Sequence, residues 1–206
     1  TARRGDADVV FVHDPEAEER FVSEGHGLER HPVMYNDFVI VGPAADPARI
    51  RGKGVRDALK AIADGAHPFV SRGDRSGTHQ AELRLWKDAQ VSVDSASHRW
   101  YRAVGQGMGS ALNIASASDA YVLADRATWI SFRNKRTLQL LVEGDPRMHN
   151  PYSLILVNKA RHPGVNEAAG RRFVEFLLSP EGQGIIATYR IEGQQLFFPD
   201  ASTAAK

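Results

Sequence analysis

The chain of 206 residues contains no cysteine. This absence excludes thiolate catalysis, cysteine-ligated zinc and a disulfide framework, and a chain of this length can bury a sizeable core without such cross-links. It also lacks any unbroken apolar run of about 20 residues, so no segment is predicted to insert into a membrane. The remaining composition, with 42% hydrophobic and 25% charged residues, is typical of globular domains.

An excess of one charge is missing as well. Lysine plus arginine total 26 and aspartate plus glutamate total 25, a net charge of +1. Because no basic run is present that would neutralise many phosphates, nucleic acid is not a predicted partner. The balance favours a small ligand over a polyanion, and no cofactor is predicted.

Apolar runs bounded by turn residues alternate with helical patterns along the chain, which predicts an α/β fold. The predicted strands are 6–13, 37–43, 68–71, 121–124, 138–143 and 152–158. The first of them is predicted to lie in a parallel sheet, buried on both faces. Predicted helices follow at 14–25, at 55–65 and from Gly77, and two C-terminal helices, 165–178 and 180–189, are predicted to cover a sheet face. Residues 200–206 are predicted to be a frayed end.

The stretch SRGDRSGT, residues 71–78, follows a predicted strand and opens a predicted helix. A helix N-terminus has unpaired N–H groups and a partial positive charge, so it favours anions. Ser71, Ser76 and Thr78 add hydroxyl donors, Gly77 permits close approach of the backbone, and Arg72 adds a planar fork. The stretch therefore predicts a site for a tetrahedral oxyanion. The structural alternative is that the polar residues only cap the helix.

A second glycine-rich stretch, GQGMGS at residues 105–110, precedes another helical run. Its spacing is not that of a dinucleotide-binding fingerprint, because the third glycine position is Ser110. The stretch is interpreted either as a second anion contact or as a flexible loop.

Three other signals carry little weight. The tripeptide Arg-Gly-Asp occurs at residues 4–6 and 72–74, but three residues recur by chance. His79 and Glu82 share a helical face without further ligands at metal-site spacing. Ser110 lacks the strand and the GxSxG pattern of a hydrolase nucleophile.

The pattern Ser71-Arg72-Gly73-Asp74-x-Ser76-Gly77-Thr78-His79-x-x-Glu82 resembles a signature of the tungstate-binding proteins of bacterial ABC importers. Further stretches are similar to that family in the same order: GDADVVFVH, VMYNDFVIVGP, GQGMG, AYVLADRATW, GDPRMHNPYSLILVN and SPEGQ with QLFFP. The resemblance covers nearly the full chain.

The resemblance implies a two-lobed, periplasmic-binding-protein type II-like fold. Lobe one would comprise residues 1–42 and 154–206, and lobe two residues 43–153. The implied oxyanion contacts are Ser71, Arg72, Ser76, Gly77, Thr78, Gly107, Met108, Gly109 and Ser110, with Asp74 in a supporting role. Asp74 is expected to organise Arg72 and the turn, since its own charge would repel an anion.

In one respect the chain departs from the family pattern. A Thr/Ser-rich turn and the first two strands of lobe one would lie upstream of residue 1, so lobe one is expected to be incomplete. The exposed sheet edge predicts self-association or a partner segment.

The resemblance implies extracytoplasmic binding of an oxyanion, with tungstate as the expected ion, for delivery to the permease of an ABC importer, without catalysis. The alternatives are a binder of molybdate or another oxyanion, and a non-transport interaction module with a weakened anion site. A third alternative, a hydrolase, would need His79 as the base for a nearby serine.

Overall fold

A computed structural model describes residues 2–94 and 96–201. The strands are β1 Val9–Val12, β2 Gly27–Pro43, β3 Phe69–Ser71, β4 Tyr101–Ala103, β5 Tyr121–Asp125, β6 Leu138–Val142, β7 His149–Val157, β8 Arg190–Ile191, β9 Gln194–Gln195 and β10 Phe198–Pro199. The helices are α1 Pro15–Ser23, α2 Val55–Asp64, α3 Gly77–Asp88, α4 Met108–Ser118, α5 Arg126–Ser131, α6 Glu167–Leu178 and α7 Pro180–Thr188. The chain therefore has the mixed α/β fold that its alternating pattern predicts.

Contacts divide the chain into two compact units. Unit 1 is Thr1–Asn36 with Asn150–Lys206, and unit 2 is Asp37–His149. The chain passes between the units along β2 and along β7. The predicted lobe boundaries, after residues 42 and 153, lie a few residues further along the same two strands, and that assignment stays a prediction.

In unit 1 the strand order is β1–β7–β2, and β10 pairs with β2. β1 runs antiparallel to β7, with Val9 opposite Leu156 and Val12 opposite Ser153. The prediction of a doubly buried strand in a parallel sheet at 6–13 was wrong: β1 lies at the end of the strand order, and Phe11 is 44% exposed. A continuous apolar run does not distinguish a buried parallel strand from an edge strand.

The two C-terminal helices cover one face of the unit 1 sheet, as predicted. Val174, Leu177 and Ile186 pack with Leu154 and Leu156 in one apolar cluster. Four large apolar side chains of the C-terminal segment are nevertheless exposed: Phe173, Phe176, Ile185 and Tyr189.

In unit 2 the order is β2–β5–β3–β4, with β6 also paired to β2. β3 runs parallel to both β4 and β5, whereas β2 runs antiparallel to β5 and β6. Successive side chains point to opposite faces. Phe69 therefore packs with α2 and α3, and Val70 packs with α4. Both faces of this sheet are thus covered, which explains its nearly continuous apolar strands.

β2 has 17 residues, and only its second part, 37–43, was predicted. The first part, LERHPVMYN, carries charged and histidine side chains that hide the strand pattern, and it is ordered by pairing with β7 and β10. Of the predicted frayed end, residues 202–206 lie outside the described residues. Within the described part of the chain, no helix has both the length and the apolar character to cross a bilayer.

Candidate functional site

The stretch 71–78 forms the turn between β3 and α3. Ser71 ends the strand, and Ser76 is the N-cap of the helix, where its Oγ accepts the N–H of His79 at 3.3 Å. The first N–H groups of a helix, here those of Gly77 and Thr78, have no intrahelical acceptor. The local sequence therefore builds the anion-favouring helix start that was predicted.

Gly73 lets this turn lie against the next strand. Its φ of +62° is in the left-handed region, and a Cβ at this position would lie 2.8 Å from the Cβ of Ala103. Together the two features require glycine, because the left-handed conformation is combined here with an approach too close for a Cβ. The turn is consequently held against the end of β4.

Asp74 organises the turn from within. Its Oδ2 accepts hydrogen bonds from Arg72 Nη2 (2.6 Å) and Nε (3.2 Å), and its Oδ1 accepts from Ser76 Oγ (2.6 Å) and the Ser76 N–H (3.1 Å). Burial raises the pKa of Asp74, but the hydrogen bonds from Ser76 and Arg72 outweigh it and hold the pKa below its usual value. Asp74 thus stays charged and keeps Arg72 and Ser76 together. These contacts support its predicted supporting role.

The Arg72 guanidinium is mostly buried and spans the turn. Besides Asp74, it contacts Thr78, whose Oγ1 accepts a hydrogen bond from Nη1 at 3.3 Å. Thr78 is itself buried at the second position of α3. A fixed guanidinium beside a helix N-terminus provides planar donors and positive charge to an oxyanion.

Ser71 is fully buried, and its Oγ has no hydrogen-bond partner of good geometry. Glu82 and Tyr101 lie close enough for Ser71 to lower the pKa of both. A buried hydroxyl without a well-formed hydrogen bond destabilises the folded state. A hydrogen bond from this hydroxyl to a ligand at the turn would remove that penalty.

The glycine-rich stretch lies beside the turn because β3 and β4 are parallel neighbours, whose carboxyl ends meet at one sheet edge. The backbone links them directly: the Val104 N–H donates to Ser71 O and the Gln106 N–H donates to Arg72 O, each at 3.0 Å. Gly107 is the N-cap of α4. The structure thus brings together the two stretches that the sequence separates by some thirty residues.

Within that second stretch, the predicted site residues differ in environment. Gly107, Gly109 and Ser110 are exposed, and a Cβ at either glycine would meet open space. The Met108 side chain is buried in the cluster with Val70. Met108 could therefore contact an anion only through its backbone.

Two residues that were not predicted as site residues lie beneath the turn. Glu82 is 2% exposed, and its Oε1 accepts from Tyr101 Oη (2.8 Å) and Trp86 Nε1 (3.2 Å). Burial raises the pKa of Glu82 to about 7. Glu82 belongs to the recognised pattern, but its burial had no sequence signal. Tyr101 is distant along the chain and had no signal either.

The hydrolase and metal alternatives receive no support from the geometry. The His79 ring accepts the Arg75 N–H at Nδ1 (3.1 Å), while the Ser76 hydroxyl donates to Asp74. No serine hydroxyl is thus paired with this histidine among the described contacts. Residues 2–94 and 96–201 contain no group of three or more His, Asp or Glu side chains that could hold a metal ion.

Comparison with known proteins agrees with this architecture. The PBP superfamily domain matches residues 1–181, so the chain is of the periplasmic-binding-protein class. It is 46% identical over 207 residues to a putative ABC transporter anion-binding protein of Haloferax volcanii, covering 98% of this chain and 60% of that protein. It is 41% identical to the tungstate-binding protein TupA of Peptoclostridium acidaminophilum, covering 96% of this chain and 70% of that protein.

A solved structure shows the same relationship. The tungstate-binding protein TupA from Desulfovibrio alaskensis G20 matches with a TM-score of 0.81 and 42% identity, over 98% of this chain and 82% of that chain. The chain belongs to the TupA family of the PBP superfamily. It spans 60% of the length of the Haloferax protein.

Proposed function

We propose that this protein binds a tetrahedral oxyanion through the β3–α3 turn of unit 2, and that the ion is tungstate. It binds the anion outside the cytoplasm and delivers it to an ABC importer. The observation that carries the proposal is the donor set of the turn. The fixed Arg72 guanidinium, the buried Ser71 hydroxyl and the start of α3 lie together. Relatives named as tungstate-binding proteins support the choice of ion.

The proposed contacts are those that the sequence indicated. Ser71, Arg72, Ser76, Gly77 and Thr78 act from the turn, and the backbone at 107–109 with Ser110 acts from the neighbouring loop. The two stretches are joined by the hydrogen bond from Gln106 to Arg72. This pairing supports a shared site in unit 2 better than two independent helix caps, because capping alone requires neither a buried Ser71 nor a fixed Arg72.

The donor character of the turn also favours an anion that brings no proton. The carboxylate within the turn, Asp74, already accepts from Arg72 and Ser76. An anion that must donate a hydrogen bond would find this acceptor engaged, whereas a fully deprotonated dianion only accepts. Tungstate, molybdate and sulfate therefore fit this set better than hydrogen phosphate.

The first test is a thermal-shift series with tungstate, molybdate, sulfate and phosphate at matched ionic strength. An anion present at 100 times its dissociation constant should stabilise the chain by about 2.7 kcal/mol. Stabilisation by tungstate supports the proposal. A cooperatively melting chain that none of the four anions stabilises would refute it and would favour an interaction module on the same scaffold.

The second test locates the site. Arg72→Ala should weaken tungstate binding in isothermal titration calorimetry by about 1.5 to 3 kcal/mol, the usual contribution of a hydrogen bond to a charged group. Arg75→Asn is the matched control: it removes an exposed arginine of the same turn, and asparagine tolerates the φ of +60° found there. Equal effects of the two variants would mean that only net charge matters and that the turn is not the site.

A further inference from the structure

The buried carboxyl of Glu82 lies behind the proposed anion contacts. It projects from α3 one turn after Thr78, and it accepts the Tyr101 hydroxyl and the Trp86 indole N–H at a single oxygen, Oε1. Ser71 lies close enough to influence it. The carboxyl therefore adjoins the one buried hydroxyl of the turn that has no well-formed hydrogen bond.

The protonation state of Glu82 determines what Ser71 can offer. A hydroxyl has one hydrogen to donate, and a carboxylate only accepts, so an ionised Glu82 competes with the anion for the Ser71 hydrogen. A protonated carboxyl has a hydrogen of its own and leaves the Ser71 hydrogen to the ligand. An ionised Glu82 would also repel a bound anion, because both are negatively charged and screening is weak in a buried environment.

The charged and titratable groups around Glu82 do not neutralise it. On its own helix, His79 lies a turn away and engages Arg75; in the turn, Arg72 and Asp74 pair with each other. Among the elements that pack against α3, β4 supplies Tyr101, which donates to Glu82. Arg56 of α2 pairs instead with Asp88, and Tyr121 of β5 donates instead to Asp46. Burial thus remains the largest influence and raises the pKa of Glu82 to about 7.

We propose that Glu82 is a positioning residue that couples oxyanion binding to the uptake of one proton: the anion binds when the Glu82 carboxylate takes a proton from solvent, which releases the Ser71 hydroxyl to donate to the anion. No other bond is made or broken. The inference rests on the proposed function, since it requires an anion at the turn.

The experiment is isothermal titration of this chain with micromolar tungstate between about pH 6.5 and about pH 8.5, in pairs of buffers that differ in ionisation enthalpy. In the wild-type chain, the dissociation constant should rise roughly tenfold or more across this range. Between half a proton and one proton should be taken up per anion near pH 7.5, as linkage to one group with a pKa of about 7 requires. In Glu82→Gln both effects should vanish.

Two variants serve as comparisons. Glu175→Gln changes an exposed glutamate of α6 and should behave as wild type. His79→Asn removes the histidine of α3, whose pKa burial lowers from its ordinary value, and it should retain the proton uptake.

The outcomes separate the inference from the function on which it rests. Tungstate binding that is independent of pH in the wild-type chain, or proton uptake that persists in Glu82→Gln, would overturn the role of Glu82 and leave the proposed function intact; loss of the uptake in His79→Asn would assign the proton to His79 instead. The absence of tungstate binding at every pH, in a chain that melts cooperatively, would overturn both. Because proton uptake is measured first on the wild-type chain, its absence there would overturn the role of Glu82 whether or not a variant folds.

Discussion

Glu82 should make the stability of the protein fall as the pH rises through neutrality. Its folded-state pKa is about 7, against an ordinary value of 4.5. Between these two values the folded state binds more protons than the unfolded state, so the free energy of unfolding decreases with increasing pH. The contribution of this group is thus fully favourable below about pH 4.5, is lost across the window up to about pH 7, and is constant above it.

The size of the effect follows from the two pKa values. One pKa unit corresponds to about 1.36 kcal/mol, so the difference of roughly 2.5 units amounts to about 3 kcal/mol over the whole window. Between about pH 5 and about pH 8, a loss of roughly 2 to 3 kcal/mol is expected from this residue alone. Because Glu82 is only 2% exposed, solvent screening does not reduce this value as it does for surface groups.

The measurement is urea unfolding of wild type and Glu82→Gln at about pH 5 and about pH 8. Glutamine keeps an oxygen that can accept from Tyr101 and Trp86 but cannot ionise, so the variant should gain roughly 2 to 3 kcal/mol relative to wild type on going from the lower to the higher pH. Glu175→Gln, an exposed substitution of the same chemistry, should not change this difference. Parallel pH dependences of wild type and Glu82→Gln would refute the reasoning.

Two further predictions concern the scaffold of unit 2. Gly42→Ala should destabilise the protein by about 1 to 3 kcal/mol in urea unfolding, because the added Cβ would lie 2.4 Å from Cδ1 of Tyr121 across the strand pair. Asp145→Ala should cost about 1 to 3 kcal/mol at neutral pH, because Asp145 Oδ2 accepts the N–H of Val55 at the start of α2 at 2.9 Å.

Each of these predictions has a matched control. Gly184→Ala adds a Cβ in α7 with nothing within 4 Å, so it should be neutral or stabilising; an equal loss in both variants would contradict the overpacking argument. Asp64→Ala, which removes an exposed aspartate of α2, is the control for Asp145→Ala.

The two aspartate and glutamate predictions differ in their pH dependence. For Asp145, burial raises the pKa, but the hydrogen bonds from the N–H groups of Val55 and Arg147 outweigh burial and hold the pKa below its ordinary value. Its contribution should therefore be present above its ordinary value and be lost in acid, opposite in sign to that of Glu82.

The local chemistry of the site was readable from the sequence. A strand followed by SRGDRSGT and a helical run contains an N-cap, glycines and hydroxyl donors within eight residues, and such short-range features form without help from distant segments. The structure has the helix start at Gly77, as the pattern predicted, and its N-cap is Ser76. The same holds for the buried strands of unit 2, whose apolar runs are continuous because both faces are covered.

The strand features that were missed or predicted wrongly are those that depend on pairing between distant segments. The first part of β2 carries charged and histidine residues, and its extended conformation depends on β7 and β10, which follow more than a hundred residues later. β1 has the apolar run of a buried strand, yet it lies at the end of the strand order with Phe11 exposed. Neighbouring residues do not determine which strands pair or which strand lies outermost.

The sequence by itself determined the alternating α/β elements, the anion-favouring helix start and the family. Only the tertiary structure decided that β4 lies parallel to β3, which brings the Gly107 loop against Arg72 and places the hydroxyl of Tyr101 on the carboxyl of Glu82. It also decided that Ser71 and Glu82 are buried together. The physical reason is that burial and strand neighbours arise from the packing of distant segments, and that packing, more than the residue type, determines the pKa of a carboxyl group.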